Sequence, residues 1–71
     1  MAAARRSQVQ QALQTLPRDQ RLCLVLREYE GRSHREIGAI LGCTEGAARV
    51  LTHRARRALR PLLASLWENE E

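Results

Sequence analysis

Ser33-His34-Arg35-Glu36-Ile37-Gly38-Ala39-Ile40-Leu41-Gly42-Cys43-Thr44-Glu45-Gly46 is the stretch that decides the fold. Ser33 with Glu36 spells S-x-x-E, in which a hydroxyl and a carboxylate satisfy each other's backbone donors at the start of a helix. Ile37, Ile40 and Leu41 give that helix an apolar face. Gly42 can take the left-handed conformation that ends a helix. Thr44 can then cap a second helix, with Glu45 at its positive end. Two helices separated by Gly42-Cys43-Thr44 predict a helix-turn-helix. Such a crossing brings backbones together and requires a small residue on the first helix, a place that Gly38 fills. A plain antiparallel hairpin within a bundle is the alternative.

The flanking sequence is also helical. Val9, Leu13 and Leu16 recur at helical spacing from Ser7 onward, and residues 1–7 read as a flexible N-terminal segment. Pro17 disfavours the α conformation at Leu16 and suits the first turn of a new helix. Leu22, Val25, Leu26 and Tyr29 form an apolar stripe on that helix, and Gly31 is placed to stop it. On a helical wheel centred on Ala48, the residues Leu51, Ala55, Leu59, Leu62 and Leu66 fall on one side, while Gly46, Arg49, Val50, His53 and Arg57 fall on the other. Pro61 predicts a kink or an end near Arg60, followed by a short helix over Leu62–Trp67. The expectation is an all-α fold, a small domain of four to five helices over residues 8–67, with an acidic tail at 68–71.

Composition sets the class of function. The chain has 71 residues, a net charge of +4 and only 3% aromatic residues. A domain of this size buries only about 60% of its unfolded surface. The scarcity of aromatic and β-branched residues argues against a β-sandwich, and the thin core leaves little room for the ~300–1,000 Å³ of an enclosed active site. Glu28, Glu30 and Glu36 sit at expected helix ends, open to water, so they make a poor acid–base pair and the chain reads as a non-enzyme. Cys23 and Cys43 lack a C-x-x-C pattern and read as buried thiols. His34 and His53 lack partners at ligand spacing, so no metal or cofactor is expected. No apolar run is long enough to span a membrane.

All 12 basic residues are Arg. Residues 31–60 carry seven of them against two acids, and residues 49–60 carry five Arg and no acid. A single-sign charge run beside a helix-turn-helix points to phosphate contacts and a nucleic-acid partner.

These residues carry a resemblance. Leu16-Pro17 with Arg21, Leu24-Val25-Leu26-Arg27-Glu28, Gly31-Arg32-Ser33 with Glu36-Ile37, Ile40-Leu41-Gly42, and Gly46 with Arg49 and His53-Arg54-Ala55-Arg56 occur in the order found in region 4 of bacterial RNA polymerase sigma factors. The extracytoplasmic-function (ECF) group of the sigma-70 family is the most similar, and the likeness covers Leu13 to Leu63. The output domain of LuxR-type regulators shares the Glu-Ile and Leu-Gly core and is the alternative within helix-turn-helix proteins; Arg54 to Leu59 fits sigma region 4 better.

The resemblance implies a winged-helix-like domain without the wing, whose second helix reads the −35 promoter element. It implies docking on the β flap of RNA polymerase, masking by an anti-sigma factor, a monomeric state and a bacterial cytoplasmic location. It also implies DNA-binding roles for Ser33 and Arg35, for Thr44 and Gly46, for Arg49, Val50, His53 and Arg54, and for Arg57 further along the backbone. The chain departs from the pattern at Leu51 and Thr52, where Arg and an aliphatic residue are frequent, and at Ala48, where a larger aliphatic is common. Nothing in it matches region 2, which suggests an excised domain or a standalone relative. A protein-docking module using Leu22–Tyr29 and Leu62–Trp67 remains the rival from another class.

Overall fold

The computed structural model describes residues 2–68, with side chains over residues 6–62. Its elements are α1 (Ala2–Gln14), α2 (Arg18–Glu28), α3 (His34–Leu41) and α4 (Glu45–Glu68). The last helix is the spine, packing against each of the other three, and α2 also packs on α3.

Two small cores lie along α4. One joins α1, α2 and α4 through Ala12, Leu16, Leu24, Ala55 and Leu59, with Val9 and Leu13 against them. The other joins α2, α3 and α4 through Cys23, Ile37 and Ala48, with Leu26, Leu41, Cys43 and Leu51 around them. Cys23 and Leu24 are adjacent in sequence and serve different cores, so α2 is buried on two sides. The expected single stripe on this helix is therefore corrected. Leu22, Val25 and Leu26 are only partly buried. Tyr29, at the C-cap, is 74% exposed.

Local chemistry sets the helix ends. Leu16 closes α1 by donating its N–H to the Leu13 carbonyl at 3.1 Å. Pro17 then caps α2 in an extended conformation (ψ 149°) without a side-chain bond, one position earlier than expected. Gly31 adopts φ 66°, which turns the chain so that the Arg32 N–H reaches the Leu26 carbonyl at 3.0 Å. The capping box forms: the Glu36 N–H donates to Ser33 Oγ at 3.1 Å and the Ser33 N–H to Glu36 Oε1 at 3.0 Å. Gly42 ends α3 at φ 75°. A Cβ on Gly38 would lie 2.7 Å from the Cys43 carbonyl oxygen and 3.0 Å from that of Thr44. The close approach expected at Gly38 is thus real, and its partner is the turn backbone.

Three expectations change. Helix α1 begins at Ala2, within the segment read as flexible. Helix α4 runs through Pro61 without a break, so the described residues form four helices and no separate fifth. Proline removes an N–H and crowds the preceding turn, but Ala55 and Leu59 just before it are buried and hold α4 in place. Leu62, on the apolar stripe of the wheel, is 53% exposed, so at this position the stripe faces solvent instead of closing the core. A 24-residue helix is about 36 Å long at 1.5 Å per residue, and it outruns the shorter helices that pack on it. The side chains of Leu63, Leu66 and Trp67, and residues 69–71 of the acidic tail, lie outside the described residues.

Candidate nucleic-acid interface

The outer face of α4 follows from its inner one. Ala48, Thr52 and Ala55 are fully buried and Leu59 nearly so. Positions 49, 50, 53, 54 and 57 then fall together on the far side of a 3.6-residue repeat. The structure places Arg49, Val50, His53, Arg54 and Arg57 there, all exposed. Val50 is 47% exposed, an apolar side chain open to solvent among charges.

The beginnings of the two helices add the remaining predicted residues. Ser33 is the N-cap of α3, with Arg35 exposed two positions on. Thr44 caps α4, its Oγ1 accepting the Ala47 N–H at 3.0 Å. The hydroxyls of Ser33 and Thr44 are both engaged as acceptors and retain a proton to donate. A Cβ on Gly46 would find nothing nearer than Thr44 Oγ1 at 4.0 Å. The fold itself therefore does not require glycine at 46.

The charge run is less uniform than its sequence suggests. Arg49 Nη2 lies 3.8 Å from Glu45 Oε1 one turn back, with both side chains more than half exposed. Exposed pairs of this kind contribute about 0–1 kcal/mol, so Arg49 can leave Glu45 at little cost. Arg56 is different. Its Nε donates to Glu28 Oε1 at 2.8 Å and its Nη2 donates to the same oxygen. That pair joins α4 to the end of α2 and turns Arg56 toward the groove side of the helix. Arg60, on the polar side of the helix, lines a groove with Arg56. Among the described residues, Arg54, Arg57 and Arg60 are the members of the run that make no ion pair.

Sequence reasoning passed over three further groups. Thr52 is fully buried, and its Oγ1 donates to the Ala48 carbonyl at 2.9 Å. Its place on the wheel, about 40° from Ala48, was a sufficient signal. His34, the first residue of α3, has its Nε2 buried with no hydrogen-bond partner. Burial lowers its pKa below the ordinary 6.5, and the cations Arg27, Arg49 and Arg56 lower it further against the opposing pull of Glu45. The Glu28–Arg56 clamp joins positions 28 residues apart, beyond the reach of any local pattern.

The groove is the second feature. It encloses about 490 Å³ between α1, α2 and α4, with Val9, Leu13, Leu24, Val25 and Leu59 as its apolar walls and Glu28, Tyr29, Arg56 and Arg60 also lining it. Among the described residues no group of three metal-ligating side chains occurs, and no helix is long and apolar enough to cross a membrane.

Comparison with known proteins agrees with this geometry. Residues 6–59 match the family described as Sigma-70, region 4. The chain is 44% identical over 59 residues to the RNA polymerase sigma-H factor of Pseudomonas aeruginosa, covering 78% of this chain and 31% of that protein. It is 49% identical over 55 residues to the RNA polymerase sigma factor CarQ of Myxococcus xanthus, covering 78% and 32%. It is 46% identical over 56 residues to the ECF RNA polymerase sigma factor SigE of Mycolicibacterium smegmatis, covering 79% and 22%. The chain thus spans a third or less of these relatives. No solved structure matches it. The relatives are sigma factors by name rather than enzymes or LuxR-type regulators. Four helices around a helix-turn-helix, the match over residues 6–59 and these relatives together make the chain a member of the sigma-70 region 4 family, of the ECF sigma factor type.

Proposed function

We propose that this domain binds the −35 promoter element through the outer face of α4, as region 4 of an ECF sigma factor that directs RNA polymerase to promoters. The observation that carries the reading is the exposed set Arg49, Val50, His53, Arg54 and Arg57 on one face of a helix held by a helix-turn-helix. An α-helix fits the major groove, where Arg can bond guanine O6 and N7 together and an apolar side chain can meet a thymine methyl. Arg49 and Arg54 take the first role and Val50 the second. Ser33 and Arg35 face phosphates from the start of α3, Thr44 and Gly46 from the start of α4, and Arg57 from further along. With roughly five phosphate contacts the isolated domain binds weakly at physiological salt, with a Kd near 10⁻⁴–10⁻⁶ M.

The groove supports the partner side of the reading. Its apolar walls with a polar rim suit an amphipathic helix, and we assign it to the β flap of RNA polymerase, with an anti-sigma factor as a competing occupant. The domain acts as a monomer in the bacterial cytoplasm.

Fluorescence anisotropy tests the DNA reading, with one duplex carrying a GGAAC-like −35 element and one scrambled, at low and moderate salt. Binding that favours the element and weakens steeply with salt supports it. Salt-sensitive binding without preference leaves specificity to the rest of the sigma factor or to polymerase. No binding at low salt would favour the protein-docking reading, for which the groove and exposed Tyr29 are the supporting features.

A further inference from the structure

We propose that Cys23 and Cys43 are a peroxide-sensitive dithiol that closes to an intramolecular disulfide between α2 and the turn joining α3 to α4. Both thiols are free. They come from separate elements and pack on one small cluster around Ile37 and Ala48. They differ in access: Cys23 is fully buried, whereas Cys43 is partly open to solvent. A more accessible thiol that reacts first and a buried one that resolves it is the arrangement such chemistry needs.

The electrostatics agree with that order. Burial pushes the Cys23 thiol up from its ordinary value, and a negative charge on Cys43 pushes it further, against a smaller lowering by its hydrogen bond with Thr52. Cys43, the more open of the two thiols, is the one that meets the oxidant.

The balance is simple. The Cys43 thiolate attacks one oxygen of hydrogen peroxide, the O–O bond breaks, and the leaving hydroxide takes a proton to become water. Cys43 is then a sulfenic acid. The sulfur of Cys23 attacks the sulfur of Cys43, the S–S bond forms, and the S–O bond breaks. The departing hydroxide takes the Cys23 proton and leaves as a second water. The two cysteines together lose two electrons and two protons, and the peroxide is reduced to two waters. The product ties α2 to the turn whose backbone already touches Gly38. Cross-linking restricts the unfolded chain, so the oxidised domain unfolds at a higher temperature than the reduced one.

The test treats the reduced 71-residue chain with equimolar hydrogen peroxide and follows intact mass, free thiols and thermal unfolding. A monomer lighter by about 2 Da, with no titratable thiol and a raised midpoint, supports the proposal. In Cys23→Ser the sulfenic acid persists and is captured by dimedone. In Cys43→Ser the remaining buried thiol survives treatment, which keeps the test sound if the core variant Cys23→Ser fails to fold. Two thiols left in the treated wild type would overturn the proposal. So would a Cys43 sulfinic acid beside an intact Cys23 thiol, or a disulfide-linked dimer.

Discussion

The two ends of α4 are packed by different physics. At the helix-turn-helix end one large side chain, Ile37, is fully buried between the small Cys23 and Ala48, Gly38 lets the backbones approach, and caps fix the helix starts. At the other end larger aliphatic side chains from α1, α2 and α4 meet around Leu16, Leu24 and Leu59, and the fit leaves a groove of about 490 Å³. The closed end orients a charged helix face, which requires rigidity. The open end keeps apolar surface within reach of a partner, which requires space. One helix runs through both, so its tight end is aimed while its loose end stays available.

Truncation of one large side chain at each end sharpens the contrast most. Ile37 is fully buried and is not among the residues that line the groove. Ile37→Ala should cost about 3–5 kcal/mol, at the upper part of the usual range, and unfold much of a domain whose total stability is of order 5–15 kcal/mol. Leu59 is 4% exposed but lines the groove. Leu59→Ala should cost about 2–3 kcal/mol, because walls of an open groove can shift or hydrate more readily than a closed core. Chemical denaturation reads both. Equal losses would mean that the groove end is packed as rigidly as the other.

The glycines provide the next test. Gly38→Ala drives a methyl against the carbonyls of Cys43 and Thr44, which the turn meets only by moving, at about 1–3 kcal/mol. Gly46→Ala meets nothing nearer than Thr44 Oγ1 at 4.0 Å, in a helix that gains from alanine. It should raise stability by up to about 1 kcal/mol. If Gly46 serves close approach to DNA, this stabilised variant binds the −35 duplex more weakly. A variant both more stable and equally tight would remove Gly46 from the interface.

Two adjacent arginines divide the charge run. Arg57→Ala should weaken binding to all duplexes alike and reduce the salt slope by about 1, as the loss of one phosphate contact does. Arg56→Ala should leave DNA affinity nearly unchanged, because Arg56 is already committed to Glu28. It should cost up to about 1 kcal/mol of stability, the scale of a partly exposed pair. Salt-dependent anisotropy on both variants decides between them. Equal salt slopes for the two would show that the Glu28 clamp opens when DNA binds.

What was legible in the sequence follows the same division. Ser33, Glu36, Gly38, Gly42 and Thr44 act within a few positions of themselves, through caps, a left-handed turn and a close approach, so the helix-turn-helix end could be read directly. The outer face of α4 followed from periodicity once Ala48 was set inward. The other end depends on how distant segments pack. No local pattern tells that Cys23 and Leu24 serve separate cores, that Glu28 finds Arg56, or that packing carries α4 through Pro61. Thr52 was missed for another reason: a hydroxyl reads as polar until its bond to the Ala48 carbonyl is seen.

The smallest expected effect is on pH and belongs to the closed end. Glu36 has its pKa held below the ordinary 4.5, first by the Ser33 N–H, then by the Ser33 hydroxyl, with Arg32 adding to both. A carboxylate whose folded pKa is depressed contributes its stability above the unfolded value and loses it as pH falls through the folded one. The wild type should therefore lose a small increment of stability below about pH 4.5, and Glu36→Gln should not show that loss. Glutamine still accepts from the Ser33 N–H, so the variant keeps the cap while giving up its titration. His34 loses stability over a different window. Its folded pKa is also depressed, so its contribution is complete above 6.5 and declines below that. Denaturation midpoints from pH 7 to pH 3, for wild type, Glu36→Gln and His34→Gln, separate the two. If Glu36→Gln followed the wild type through the acid range, the capping box would draw nothing from the charge of Glu36, and the closed end would rest on backbone contacts and buried side chains alone.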